Sequence, residues 1–392
     1  MTIIDPADAP TSRRALAPAL AWALSIWATA PAIGKLRDLV FEHFAGGAVR
    51  LLAGGFIVAL GLAFVFAVMR IRAQRALRYG GLALAALLVW LQLRGVRTAS
   101  AQVNVVEQIH VLQYGLLAVL LYRAWRPRGG VESLLHPLLW TIAAGALDEL
   151  VQWWSPRRVA DGRDILLNAA AGGSGLVFAL SLLGPPRFDR PAIAGTWTRI
   201  GYSAAIAVLA VGLTAGLSHL GYAVEDPAIG TFASHATRDE LLHMQADRRR
   251  AWAIDPPDGR AIWSKQDYFL SEAARHANHR NASERAGNDA LAWQANRILE
   301  TYYDPFLDVD GYRGAGVHRW SDAHRAAVEM RADKVDPATY VSPVLRKQLW
   351  TDASHVDYWA GVLLIALTLA VMPGWEARRR ARQRDTARQG DR

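Results

Sequence analysis

The chain has 392 residues, of which 52% are apolar, and it carries a formal net charge of +9 with a mean hydropathy of +0.09. This balance does not fit a single globular core and instead predicts membrane-spanning helices combined with a water-soluble part. Because the chain has no cysteine, both a disulfide framework and thiol chemistry are excluded.

Eight apolar runs have about the length that a helix needs to cross a bilayer. They lie at residues 16–33, 49–69, 80–93, 105–122, 138–154, 165–183, 200–220 and 358–372. The third and eighth runs are short, so a count of seven spans is the alternative. The first run lacks a small-residue cleavage site, so we expect it to stay as an uncleaved span.

Basic residues are concentrated in alternate loops between these predicted spans. Arginines precede the first span and follow the second, fourth, sixth and eighth spans. By the positive-inside rule, this pattern places both termini in the cytoplasm. The segment 222–356 between the last two spans has more acidic than basic residues, and it is predicted to be extracytoplasmic. Since the positive charge follows membrane topology, we expect no nucleic acid partner.

The predicted fold class is therefore all-α: a polytopic helical membrane bundle of about eight spans with a mainly helical extracytoplasmic domain between the last two spans. The predicted divisions are two N-terminal spans (1–79), a central membrane domain (80–184), a seventh span (185–221), the extracytoplasmic domain (222–356), and a last span with a basic tail (357–392). We call residues 222–356 the inserted domain. It begins with a loop rich in Asp and Pro, and helices are predicted at 265–281, 284–302 and 321–332.

Polar residues recur at one end of three consecutive predicted spans. In the fourth span, Glu107, His110 and Tyr114 share one helical face through their i, i+3 and i+7 spacing. The fifth span carries Asp148 and Gln152 near its end, and the sixth begins with Asp164 and Asn168. An ionised carboxylate in hydrocarbon costs about 3 kcal/mol or more, so such groups normally face a protein interior or a wet cavity. We expect these faces to converge near the outer leaflet.

Glu149 follows Asp148 directly in the fifth span. Neighbouring side chains on a helix point about 100° apart. We therefore expect the two carboxylates not to share one partner.

Taken together, these residues form three blocks: Glu107-x-x-His110-x-x-x-Tyr114, Asp148-Glu149-x-x-Gln152, and Arg158-x-x-Asp161-x-x-Asp164-x-x-x-Asn168 followed by glycines. The pattern resembles the VanZ-like membrane protein family over about residues 80–183. Ala171 departs from it, because the family usually has glycine there, although Gly172, Gly173 and Gly175 are close by. The founding member is an accessory factor of glycopeptide resistance. The resemblance implies a membrane protein of the cell envelope, and we carry no resistance function over to this chain.

The residues suggest two sets of roles at this site. The candidate catalytic residues are Glu107, His110, Asp148 and Asp164. The candidate substrate-binding residues are Tyr114, Glu149, Gln152, Arg158, Asp161 and Asn168. Carboxylates beside a histidine can act as acid and base or hold a divalent cation, so metal and cofactor stay open at this point. The glycines after Asn168 are interpreted as packing residues rather than phosphate binders.

Two functions of different classes fit this pattern. In the first, the site binds or modifies the head group of an envelope lipid or lipid-linked precursor. In the second, the chain is a non-catalytic membrane factor whose inserted domain recruits a cell-envelope partner. A purely structural role, in which the polar residues hold helices together, is the plainer alternative. A transporter is disfavoured because the polar residues cluster at one side rather than at the midplane.

Overall fold

The computed structural model describes residues 13–44, 47–95, 101–154, 162–186, 195–255, 267–309, 318–333, 335–344 and 349–390. The chain divides into two compact units. One consists of Met1–Ser218 together with Tyr358–Arg392, and we call it the membrane unit; the other is His219–Asp357, which corresponds to the inserted domain.

The membrane unit is built from long helices joined by short connections. Its first helices are α1 (Arg13–Phe44), α2 (Ala48–Arg70), α3 (Arg75–Gly95), α4 (Ala101–Trp125), α5 (Glu132–Trp154), α6 (Gly162–Leu183) and α7 (Thr196–Ser218). Among the described residues, six helices are long and apolar enough to cross a membrane: part of α1 (Arg14–Ile33), α2, α3, α5, α6 and α7. These helices indicate an integral membrane protein with a helical bundle. The count of eight spans stays a prediction.

Helices α4, α5 and α6 pack against one another at the centre of the unit, and α3 and α7 pack outside them on α6 and α5. Glycine allows the closest of these approaches. A side chain at Gly175 would place its Cβ 2.6 Å from the Cα of Gly115, and one at Gly172 would place it 2.6 Å from Cγ2 of Thr141. Gly173 has nothing within 4 Å of such a Cβ. Packing is therefore the role of Gly172 and Gly175, as the sequence indicated, whereas Gly173 makes no such contact with the part of the chain that the structure describes.

The inserted domain combines a small sheet with helices. It contains β1 (Leu220–Asp226), β2 (Gly230–Ser234), α8 (Arg238–Trp252), α9 (Tyr268–Arg285), α10 (Asp289–Tyr302), α11 (Asp322–Arg331) and β3 (Leu349–Trp350). The strand order is β2-β1-β3, with β1 antiparallel to β2 and parallel to β3. Its core includes Phe232, Phe269 and Tyr303, all essentially inaccessible to solvent.

Two expectations for the start of this domain are wrong. The predicted seventh span reached residue 220, but α7 ends at Ser218 and β1 begins at Leu220. The predicted loop is a β-hairpin, because Tyr222 and Val224 alternate inward along β1 while Gly230 adopts φ +108° at the turn. The acidic end of β1 and the proline after it concealed this alternation. The last helix, α12 (His355–Gly390), then returns the chain to the membrane unit.

Helix α12 packs on α7 within the membrane unit. The hydroxyl of Tyr358 donates a 2.8 Å hydrogen bond to the carbonyl oxygen of Gly212. A Cβ at Gly212 would lie 2.6 Å from Cγ1 of Val362, so glycine is what admits this helix. The apolar stretch of α12, His355–Val371, is shorter than the other candidate spans.

Candidate functional site

The predicted site residues lie at one end of the α4–α5–α6 bundle. Glu107 and His110 are near the first residue of α4, Asp148 is near the last residue of α5, and Asp164 is near the first residue of α6. Because α4, α5 and α6 alternate in direction and pack together, these positions come to the same level. Arg158 and Asp161, two of the predicted substrate-binding residues, lie outside the described residues.

His110 is held by a defined hydrogen-bond chain. Its Nδ1 lies 2.8 Å from Oδ1 of Asn168, and Nδ2 of Asn168 donates to the carbonyl oxygen of Gly145 at 3.4 Å. His110 is 5% exposed and Asn168 is fully buried. Since Nδ2 of Asn168 donates to a carbonyl, Oδ1 of Asn168 is the atom that faces His110, and it accepts a hydrogen bond from the Nδ1–H group. In this tautomer the other ring nitrogen, Nε2, has the lone pair that can accept a hydrogen bond or bind a metal.

Asp148 and Glu149 share a partner, contrary to the expectation from their angular separation. Nε2 of Gln152 donates to Oδ2 of Asp148 at 3.0 Å and to Oε1 of Glu149 at 3.1 Å. The physical reason is that Gln152 is i+4 from the first carboxylate and i+3 from the second, so its long side chain lies between the two. All three residues are at most 2% exposed.

His110 also joins two groups of potential ligand atoms. One nitrogen or oxygen from each of Glu107, His110 and Asp164 lies within 4.8 Å of the others, and the same holds for His110, Asp148 and Glu149. Asp148 and Glu149 are buried, whereas Glu107 and Asp164 are partly exposed. Within the described residues, no other set of His, Asp and Glu forms such a group. We call these five residues the carboxylate–histidine cluster.

Tyr114 closes the inner side of the cluster. Its ring is nearly parallel to that of His110, with 6.2 Å between ring centroids and 9° between ring planes. The side chain is fully buried, and its hydroxyl is close enough to interact electrostatically with Asp148, Glu149 and Asp164. A phenol in this position can donate a hydrogen bond to a carboxylate or to a bound group.

Helix α1 contributes residues that were not expected at the site. A small cleft beside His110, Asp148 and Gln152 is lined on one side by Ile26, Ala30 and Ile33. The indole nitrogens of two tryptophans attach α1 here: Trp22 donates to Gln113 O at 2.9 Å, and Trp27 donates to Ala144 O at 3.1 Å. The sequence signal for this contact was the apolar face of the first span, which does not specify a partner.

Gly145 of α5 was also not singled out from the sequence. A Cβ at this position would lie 2.7 Å from Cβ and 3.2 Å from Nδ2 of Asn168. Glycine therefore lets the asparagine reach the α5 backbone and hold His110. The available signal was a run of small residues in a spanning helix, Ala143-Ala144-Gly145-Ala146, which favours close helix contact.

Two cavities larger than the cleft beside His110 are lined by residues that the structure describes. One, of about 430 Å³, is apolar and is lined by residues from α1, α2, α3, α4 and α6, including Trp22, Phe64, Val111 and Phe178. The other, of about 700 Å³, lies within the inserted domain, where His235, Arg248, Tyr268 and His355 are among its lining residues. The first cavity borders α4, the helix that carries His110.

The chain matches no family model, no curated protein and no solved structure. The VanZ-like resemblance therefore stays a prediction.

Proposed function

We propose that this chain is an integral protein of the plasma membrane that binds or modifies the polar head group of an envelope lipid or lipid-linked precursor. The observation that carries the proposal is the carboxylate–histidine cluster. Glu107, Asp148, Glu149 and Asp164 approach a single imidazole at the ends of three packed helices. Ionisable groups inside a membrane bundle are costly and mark functional sites by default.

The form of the cluster supports a ligand site over a purely structural role. Polar residues that only hold helices together need one partner each, such as the Nδ1–Oδ1 pair of His110 and Asn168. Here one histidine is shared by two groups of carboxylates from α4, α5 and α6. Such a set can exchange protons with a bound head group or position it.

The surroundings of the cluster suit an amphiphilic ligand. The apolar cavity of about 430 Å³ is lined in part by α4, the helix that carries His110. Its apolar lining would suit an acyl or isoprenoid chain. Apolar side chains of α2 such as Ile57, Leu62 and Phe66 are more than half exposed, as they would be on a lipid-facing helix. These surroundings would suit a ligand whose head group lies at the cluster and whose chain lies in apolar surroundings.

We place the cluster at the outer leaflet, with both termini cytoplasmic and residues 222–356 outside the cytoplasm. The support is the alternation of arginine-rich loops under the positive-inside rule. The three-block pattern that resembles the VanZ-like family agrees with a role in the cell envelope.

The test compares the membrane lipids of a deletion strain with those of the same strain carrying one of three genes. These genes encode the wild type, the Asp148→Asn variant and the control variant Asp322→Asn. Asp148→Asn removes a charge from the cluster and keeps its shape, whereas the side chain of Asp322 is 97% exposed on α11. We expect one lipid species to accumulate in the deletion strain and with Asp148→Asn, at normal protein abundance, and not with Asp322→Asn. A wild-type lipid profile with stable Asp148→Asn would contradict the proposal.

The second candidate is a non-catalytic membrane factor whose inserted domain recruits an envelope partner. The cavity of about 700 Å³ in that domain favours it. Affinity purification of the full chain distinguishes the two functions. The Arg248→Ala variant alters the lining of this cavity. Recruitment would be favoured if this variant lost a captured partner and if the lipids of the deletion strain were unchanged.

A further inference from the structure

We infer that the carboxylate–histidine cluster binds a divalent metal ion such as Zn²⁺ or Mn²⁺. His110, Asp148 and Glu149 supply the inner ligands, and Glu107 and Asp164 lie on the more exposed side. The role of the ion in binding a head group rests on the proposed function, whereas the binding of the ion itself is independent of that function.

The ligand atoms are close enough for one ion. Protein nitrogen and oxygen atoms bind such ions at about 2.0–2.2 Å, so two ligand atoms of one ion are at most about 4.4 Å apart. The ligand atoms of His110, Asp148 and Glu149 lie within 4.8 Å of one another. Movement of these side chains toward one another would bring the three ligand atoms to coordination distance.

The orientation of His110 is a separate observation that favours a metal. A histidine that binds a metal through one ring nitrogen usually donates its other N–H to an oxygen, which fixes the tautomer and the ring plane. Asn168 accepts from Nδ1 at 2.8 Å and is itself held by the Gly145 carbonyl. Nε2 of the neutral imidazole then carries the lone pair that a metal needs.

Charge acts in the same direction. Asp148 and Glu149 are at most 2% exposed and share one amide donor. Two adjacent carboxylates with little solvent repel each other strongly, and a dication between them offsets both charges. The charge of the pair is therefore expected to favour binding of a dication.

The mixture of ligands selects the class of ion. Ca²⁺ and Mg²⁺ prefer oxygen ligands only, and Cu⁺ prefers sulfur, which cysteine does not supply in this chain. One imidazole with several carboxylates suits Zn²⁺ or Mn²⁺. A carboxylate-rich site repels phosphate unless a cation is bound, so the ion would make this site selective for a phosphate-bearing head group.

The first experiment measures metal in the purified full-length chain. The protein is stripped with EDTA in detergent, loaded separately with Zn²⁺ and Mn²⁺, dialysed, and analysed by inductively coupled plasma mass spectrometry. We expect about one ion per chain for the wild type and at least a tenfold loss of affinity for His110→Ala. The control His243→Ala, whose side chain is 80% exposed in the inserted domain, should bind like the wild type.

Asn168→Ala separates positioning from ligation. It should keep the stoichiometry and weaken metal affinity by about 10- to 100-fold, since it removes only the hydrogen bond that orients His110. Equal metal content in wild type and His110→Ala would overturn the inference. If the variants do not fold, X-ray absorption of the loaded wild type still decides, because an ion without an imidazole ligand would also overturn it.

Inorganic phosphate tests the head-group chemistry. Phosphate should raise the melting temperature of the metal-loaded chain and not of the stripped chain. An equal shift in both would contradict a metal-dependent phosphate site. Metal binding without any lipid change in the deletion strain would contradict the proposed function and support the ion site. A lipid change without metal binding would support the proposed function and contradict the ion site.

Discussion

At the scale of single residues, the site depends on contacts that allow little movement. Asn168 reaches His110 only because no side chain projects from Gly145. Gly173, on the same helix as Asn168, has open space around it. Substituting each of the two glycines by alanine therefore distinguishes the effect of a clash at the site from the effect of helix propensity.

We expect Gly145→Ala to impair function and Gly173→Ala to leave it unchanged. The added methyl at position 145 would overlap Asn168, and overpacking of this kind costs about 1–3 kcal/mol. At position 173 the methyl meets nothing within 4 Å, and alanine is favoured over glycine in a helix by up to about 1 kcal/mol. Lipid profiles and detergent melting temperatures of both variants test this. Equal behaviour of the two would contradict the role given to Gly145.

His276 makes the inserted domain sensitive to acid. It is completely buried between Phe232 and Tyr303, and neither ring nitrogen has a hydrogen-bond partner within the described part of the chain. Burial, followed by repulsion from His279 and Arg275, lowers the pKa of His276 from 6.5 to about 3. The unfolded chain therefore takes up a proton below pH 6.5 that the folded domain excludes until about pH 3, so stability falls as the pH drops through this range.

Between pH 7 and pH 5 this effect amounts to about 2 kcal/mol. Hydrogen exchange of α9 amides at the two pH values, corrected for intrinsic rates, measures it. We expect His276→Phe to reduce the loss of protection at pH 5, and His243→Ala to leave it as in the wild type. Asp289 and Asp308, whose pKa values are lowered by hydrogen bonds from Arg331 and Arg319, act only below about pH 4 and fall outside this window.

At the scale of secondary-structure elements, the start of α8 is stabilised by a local capping motif. Thr237 caps the helix by accepting from the Glu240 backbone, while the Glu240 side chain accepts from the Thr237 backbone. We expect Thr237→Ala to destabilise α8 by about 1 kcal/mol, seen as faster hydrogen exchange in its first turn. Thr301→Ala, at an exposed position of α10, is the control. Unchanged exchange in α8 would show that tertiary contacts alone hold its start.

The long helices could be predicted because an apolar run of spanning length has few other structures available to it. The α8 helix was missed although Thr237 and Glu240 form the capping pattern, because its sequence is strongly polar and lacks an apolar stripe. The hairpin was missed because the acidic residues at the end of β1 indicated a loop, whereas Glu225 occupies an exposed position of the strand. Polar intramembrane residues indicated the site, whereas the shared Gln152 donor required side-chain geometry.

At the scale of the whole molecule, the sidedness of the bundle determines which leaflet the cluster faces. A reporter inserted near Gly287, in the turn between α9 and α10, should report the outer side, and one fused after Arg392 should report cytoplasm. Alkaline phosphatase is active outside the cytoplasm and green fluorescent protein fluoresces inside it, so fusions with the two reporters serve as controls for each other. An outer location for the C-terminus would turn the cluster toward the inner leaflet and remove the proposed access from outside.

The two ends of the inserted domain are side by side. Leu220 pairs with Leu349 in the parallel ladder of β1 and β3, and paired strands are about 4.8 Å apart. The chain therefore enters and leaves this domain through nearly the same point. A linker of a few residues between Ser218 and Tyr358 would close the gap while α7 and α12 keep their contact through Gly212. We therefore expect that the inserted domain can be removed or exchanged for another folded insert while the helices of the membrane unit keep their sequence.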